Sequence, residues 1–251
     1  MIKRTIVSII TTGLLASAGS LSAVEKERPG EGGDQLALSA LSNMSAYLRS
    51  LDRFRVSASI SKDEVLLDGQ KLQFDSSMDL TVNPPNQLFA AVTTASAKRL
   101  YFYDGKQFTL YTPALKYYAS FDAPDTLGET VALAQDKFDV ELPLADLFSW
   151  GNDDADFDAI ENSKVVGIGM VNGVSCNHFA FRQQDVDWQV CIKRGGSPLP
   201  LKLVVTTKNE AEQPQYVATM KWDLAPVIPA TDFSFKPRQD DQQIHFGTGD
   251  K

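Results

Sequence analysis

The side chains of this 251-residue chain that could do chemistry are few: two cysteines, two histidines and seven tyrosines, five of the tyrosines in one short stretch. Cys176 and Cys191 form an even pair, which in an oxidising compartment suggests a disulfide. In VSCNHFAFRQQDVDWQVCIKR, a two-residue turn at Gln183-Gln184 would set Cys176 directly opposite Cys191. Opposed residues of an antiparallel pair have Cα atoms about 4.5–5.5 Å apart, within disulfide reach. A loop this short would stabilise the fold by about 3 kcal/mol through chain entropy. The alternative is two buried free thiols. No C-x-x-C is present, so redox-active thiol chemistry is not expected.

The histidines lack the company a catalyst needs. His178 lies beside a cysteine in a predicted strand, and His245 lies near the C-terminal end. There is no G-x-S-x-G nucleophile elbow and no histidine pair at i, i+4. The glycines of GIGMVNG, residues 167–173, sit inside a hairpin with no helix after them, so they fail the test for a nucleotide loop. NDDADFD, residues 152–158, lacks the spacing and terminal glutamate of a calcium loop and reads as a solvated acidic loop. The expectation is therefore no enzyme, no metal and no cofactor, with His178 a hydrogen-bonded structural imidazole.

The tyrosines are the stronger signal. YFYDGKQFTLYTPALKYYASF, residues 101–121, holds eight aromatics. A turn at Asp104-Gly105 pairs Tyr103 with Lys106 and Tyr101 with Phe108. Tyr101, Tyr103 and Phe108 then share one face, and Leu100, Phe102 and Tyr111 share the other. Both faces are apolar or amphipathic, so both need cover. Rings that are apolar in body and polar at the tip suit a ligand wall as well as a core.

The elements that would position them follow from periodicity. Leu41, Met44, Leu48 and Leu51 recur at helical spacing behind Asp34, a candidate N-cap. From Arg53 the pattern alternates, with Phe54, Val56, Ala58 and Ile60 on one face. Asp68-Gly69 marks a hairpin. Leu72, Phe74, Met78, Leu80 and Val82 then face one way until Pro84-Pro85, describing a sheet with one dry face. In APDTLGETVALAQDKF, Asp125 or Thr126 is the N-cap. Thr126 and Glu129 fit a capping box, and Leu127, Val131, Ala134 and Phe138 share a stripe. A second short helix is expected to start at Pro143, carry Leu144, Leu147 and Phe148, and end at Gly151. The rest is strands, including a turn at Asn172-Gly173, for nine to eleven in all. Two helices interrupting a β chain suggest a plug or lid on a sheet.

The N-terminal end reads as an address. Lys3 and Arg4 precede an apolar run from Ile6 to Leu15 and the small residues ASAGSLSA, the pattern of a secretory signal peptide cleaved near Ala23. No cysteine is near that junction, so lipidation is not expected. Residues 24–34 read as a charged, glycine-rich tether, and residues 35–251 as one domain. Losing residues 1–23 would take the net charge from −8 to −10, which argues against nucleic acid and against anionic membrane surfaces. No later run is long enough to span a bilayer. A monomeric periplasmic protein is expected.

Several phrases together carry a family resemblance. They are YDGKQFTLYTP at 103–113, PLADLFSW at 143–150, VNGVSCNHFAFRQQDVDWQVCI at 171–192, SPLPLKLVVTT at 197–207 and FSFKP at 233–237. The chain resembles, over about residues 36–246, an uncharacterised family of predicted periplasmic proteins whose fold is similar to the lipoprotein-localisation carriers of the Lol system. The resemblance implies an incomplete antiparallel β-barrel plugged by helices, a mainly β fold with inserted helices. In the carriers the cavity between sheet and helices receives acyl chains. Here the ligand-facing residues would be Tyr101, Tyr103, Phe108, Phe74, Met78, Leu80, Leu127 and Val131. The implied ligand is a lipid or a lipoprotein acyl chain, and the alternative partner is another envelope protein. The carriers hold their lid with an arginine on the sheet; Arg53, Arg55 and Arg99 are the arginines so placed here, and none is assigned that role.

Overall fold

The computed structural model describes residues 34–150 and 157–247. Asp34 caps helix α1 (Gln35–Arg49), its carboxylate accepting the Leu36 N–H at 2.9 Å. Ala37, Leu41, Met44 and Leu48 form the buried stripe of α1. A first meander follows: β1 (Phe54–Val65), β2 (Lys71–Asn83), β3 (Gln87–Thr94), β4 (Lys98–Tyr103), β5 (Gln107–Thr112) and β6 (Tyr117–Asp122). After it come α2 (Leu127–Phe138) and the short α3 (Asp146–Trp150). The second meander is β7 (Asn162–Val171), β8 (Val174–Arg182), β9 (Val186–Lys193), β10 (Pro200–Thr207) and β11 (Gln215–Asp223). A single turn of 3₁₀ helix, Ala230–Phe233, leads to the two-residue β12 (Gln242–Gln243).

The twelve strands among the described residues form one open, curved sheet in the order β12-β6-β5-β4-β3-β2-β1-β11-β10-β9-β8-β7. The two meanders meet at one seam, β1 against β11, from Arg55 opposite Asp223 to Lys62 opposite Tyr216. Eleven strands match the expected upper count, and β12 adds a brief parallel bridge to β6. The main core lies on one face. There Val56, Leu80, Tyr103, Phe108, Val190 and Met220 meet Leu41 and Met44 of α1, Val131 of α2 and Leu147 of α3.

Two hairpin registers differ from the sequence-based expectation, each by a slide of two residues. At the first, Tyr103 lies opposite Phe108 and Tyr101 opposite Leu110. Asp104 is the residue before the turn rather than in it: its carboxylate takes the N–H groups of Lys106 and Gln107, both at 3.0 Å. Gly105 follows at φ 95°, and a Cβ there would come 2.9 Å from Asn86 Nδ2. At the second, Arg182 pairs with Asp187 through a two-bond fork of 2.8 and 2.7 Å, which centres the turn on Gln184-Asp185. Cys191 therefore lies opposite His178, and Cys176 opposite Lys193. The disulfide Cys176–Cys191 forms all the same, diagonally, with Cα atoms 5.5 Å apart. Because a slide of two residues preserves the face, side-chain placement survived both shifts.

The second helix is also shorter than expected. Leu144 adopts φ 61°, a left-handed conformation that a helix cannot continue through, so α3 begins at Asp146 and not at Pro143. Its expected end at Gly151, the signal peptide, residues 24–33 of the tether and most of the acidic loop lie outside the described residues.

Candidate functional site

The tyrosine-rich hairpin holds down α2. Thr126 caps that helix, its Oγ1 accepting the Glu129 N–H at 3.3 Å while donating to the Glu129 carboxylate at 2.7 Å. On the sheet below, Tyr103 Oη donates to the carbonyl of Pro124, just before α2, and Tyr101 Oη donates at 3.4 Å to the carbonyl of Glu141, just after it. The two hydroxyls thus fasten both ends of one helix. Burial raises the pKa of each phenol, so both remain donors across the neutral range. A line of rings continues the contact: Phe108 stacks on Phe121 at 5.1 Å, and Phe121 on Phe138 of α2 at 4.5 Å.

Beside this latched helix lies a cavity of about 230 Å³. Leu48, Phe54, Val82, Pro84, Pro85, Leu127, Leu147 and Phe148 give it apolar walls; Arg49 and Thr126 stand among them. The Leu127 N–H donates to the Pro85 carbonyl at 3.0 Å, fixing the start of α2 to the β2–β3 turn. Arg49 Nη1 donates to Ser45 Oγ at 2.8 Å, and that hydroxyl donates to the Trp150 carbonyl, joining α1 to the end of α3. Apolar walls of this kind fit a hydrocarbon segment. The volume is below the roughly 300–1,000 Å³ of drug-sized sites. A larger hollow of about 630 Å³ is an open groove in which Ser59, Ser61, Asp75, Ser77 and Thr93 stand among Ile60, Ala95 and Val217.

Of the expected ligand-facing residues, Leu127 lines the cavity. Tyr101, Tyr103, Phe108, Met78, Leu80 and Val131 are gathered on the same face but packed into the core beneath the helices. Phe74 stands apart, half exposed and opposite Lys62 in the outer half of β2. The opposite face of the hairpin is covered by the chain itself. Phe235 packs against Phe102, Tyr111 and Tyr118 at 5.4, 5.0 and 4.9 Å. His178 Nε2 lies 3.0 Å from Gln189 Oε1, a hydrogen-bonded pair as expected of a structural imidazole.

The arginine at the cavity is one that sequence reasoning passed over. Arg55 donates to Thr81 Oγ1 at 3.3 Å, and Arg53 and Arg99 are exposed. Arg49 was readable as the residue after Leu48, one step round α1 from its apolar stripe. The Pro84–Pro85 pair was legible as a strand stop, not as a wall.

No curated protein matches this chain. Solved structures with a similar fold include LprF from Mycobacterium bovis, at 14% identity and TM-score 0.47, covering 78% of this chain and 96% of that one. The lipoprotein LppX from Mycobacterium tuberculosis aligns at 12% identity and TM-score 0.40, covering 78% and 99%. A LolA-superfamily protein from Nitrosomonas europaea aligns at 11% identity and TM-score 0.38, covering 79% and 97%. Among the described residues, no helix is long and apolar enough to cross a membrane. Residues 37–247 match the family described as "Predicted periplasmic protein (DUF2092)", and the chain belongs to that family.

Proposed function

We propose that this is a periplasmic binding protein for a hydrophobic ligand, a lipid or acyl chain, taken up between the sheet and its helices. The observation that carries it is the apolar cavity at the start of α2, with Arg49 in its wall. The present volume holds a short hydrocarbon segment. Release of α2 from Tyr101 and Tyr103 would extend the cavity over Met78, Leu80, Phe108 and Val131, the residues now under the helix. The tyrosine hydroxyls then act as a latch, and α2 as the lid.

The test is native mass spectrometry of the chain purified without detergent, followed by loading with a dansyl-labelled fatty acid. A retained lipid or saturable loading is expected, weakened by Leu127→Glu and accelerated by the paired change Tyr101→Phe and Tyr103→Phe. A clean unliganded mass, with no loading of either the native chain or the latch-free variant, would sink the reading.

A further inference from the structure

β7 ends the second meander, and its free side is unusual for an edge. Val165, Ile168 and Met170 point to the face that carries the core, yet they are 42%, 70% and 73% exposed. Val166, in a bulge opposite Phe179 and His178, is 55% exposed. Single exposed apolar residues are ordinary, but four in six consecutive positions make a patch. On the backbone, Asp34 takes the start of this edge. Asp34 N–H donates to the Ser163 carbonyl at 3.1 Å, and Val165 N–H donates to Asp34 Oδ2 at 3.4 Å, so these residues direct their backbone groups away from β8. Past the bulge, the alternation of an antiparallel ladder turns the groups of Ile168 and Met170 the same way. On the other face of β7, Gly167 and Gly169 stand in a row with Lys164. A Cβ at Gly169 would lie 3.1 Å from Cys191 Sγ and 3.5 Å from Cys176 Sγ, so the disulfide lies over that position.

Charge selects the occupant. Residues 162–207 carry five basic side chains, Lys164, Arg182, Lys193, Arg194 and Lys202, against Asp185 and Asp187, in a chain of net charge −8. Arg182 forks onto Asp187, which also feels Lys208 and Lys164, while Lys164 and Arg194 are exposed to solvent. Lys193 stands in the cross-strand row of Cys176 and Gly169, beyond the disulfide. A second copy would bring the same basic edge against itself, and a bulge and a lysine are devices that discourage such self-pairing. We propose that β7 is a docking edge for an extended segment of another polypeptide in which apolar and acidic residues alternate. Added as a further strand, its apolar side chains cover Ile168 and Met170, and its carboxylates face Lys164 on the other side.

The proposal is tested with a capped decapeptide alternating valine and glutamate, its lysine-for-glutamate counterpart, and amide exchange on the whole chain. Binding of the acidic peptide is expected to slow exchange at Ile168 and Met170. Ile168→Glu, a change at an exposed position that leaves folding intact, is expected to weaken binding roughly tenfold or more, and the lysine peptide to bind roughly tenfold more weakly. Equal binding of the two peptides, or no added protection at those amides, overturns it. So does protection already present without peptide: concentration-dependent sedimentation would then assign the edge to a second copy, and its absence to the chain's own N-terminal residues.

Discussion

The β6 edge of the sheet is strapped by the chain's own C-terminal segment, whereas the β7 edge, among the described residues, meets Asp34 and α1 only along part of its length. At β6, the N–H groups of Gln242 and Ile244 donate to the carbonyls of Lys116 and Tyr118, each at 2.8 Å. Lys116 pairs with Asp240, and Tyr111 Oη donates to Asp241 Oδ1 at 2.8 Å. The segment anchors Phe235 on one face and brings Phe246 round to Phe121 and Phe138 on the other, at 5.7 and 5.0 Å. At β7 the unpaired ladder is blunted by a bulge and a lysine. Both ends face the same hazard, a row of free donors and acceptors. One is closed by dedicated residues; the other is left able to pair.

Removing a root of the strap should show the largest effect. Phe233→Ala takes a ring that is 2% exposed out of the turn packed on β3, and should cost about 3–5 kcal/mol in a denaturant titration. An unchanged midpoint would mean that the strap adds nothing to the edge it covers. Next is the Tyr111–Asp241 bond. Its donation to the carboxylate, with burial, raises the Tyr111 pKa. A raised folded pKa stabilises fully below the unfolded value of about 10 and is lost as pH climbs through the folded one. Tyr111→Phe should therefore cost about 1–2 kcal/mol at neutral pH and flatten part of the alkaline decline in stability. A variant with an unaltered pH profile would remove this bond from the account. The smallest effect belongs to the free edge: Ile168→Thr should change stability by no more than about 0.5 kcal/mol. A loss several times larger would reveal that the folded chain covers β7 after all.

Much of this was legible because alternation and helical spacing are local signals. Phe54 to Ile60, Met78 to Val82 and the Thr126–Glu129 capping box lie on the elements and faces their spacing implied. Registers were less legible, since they turn on single contacts: the Asp104 carboxylate at one hairpin and the Arg182–Asp187 fork at the other. The cover on the hairpin's second face was invisible for another reason. SFKPRQDDQQIHF has no period, and its role depends on Phe235 finding three rings more than a hundred residues back. The cavity was half legible: its aliphatic and aromatic walls come from predicted elements, but their convergence with Arg49 is tertiary.

The strand order has a kinetic consequence. Each meander is assembled from neighbours in sequence, so its hairpins can zip as soon as they are made. The seam is different: Arg55 must find Asp223, and Lys62 must find Tyr216, more than 150 residues away. Contacts that distant are slow to form because loop closure precedes any reward. Two preformed half-sheets meeting along β1 and β11 is the economical route to this fold. As the chain is made from its N-terminal end, the first half would wait with β1 exposed until nearly all of the second had arrived.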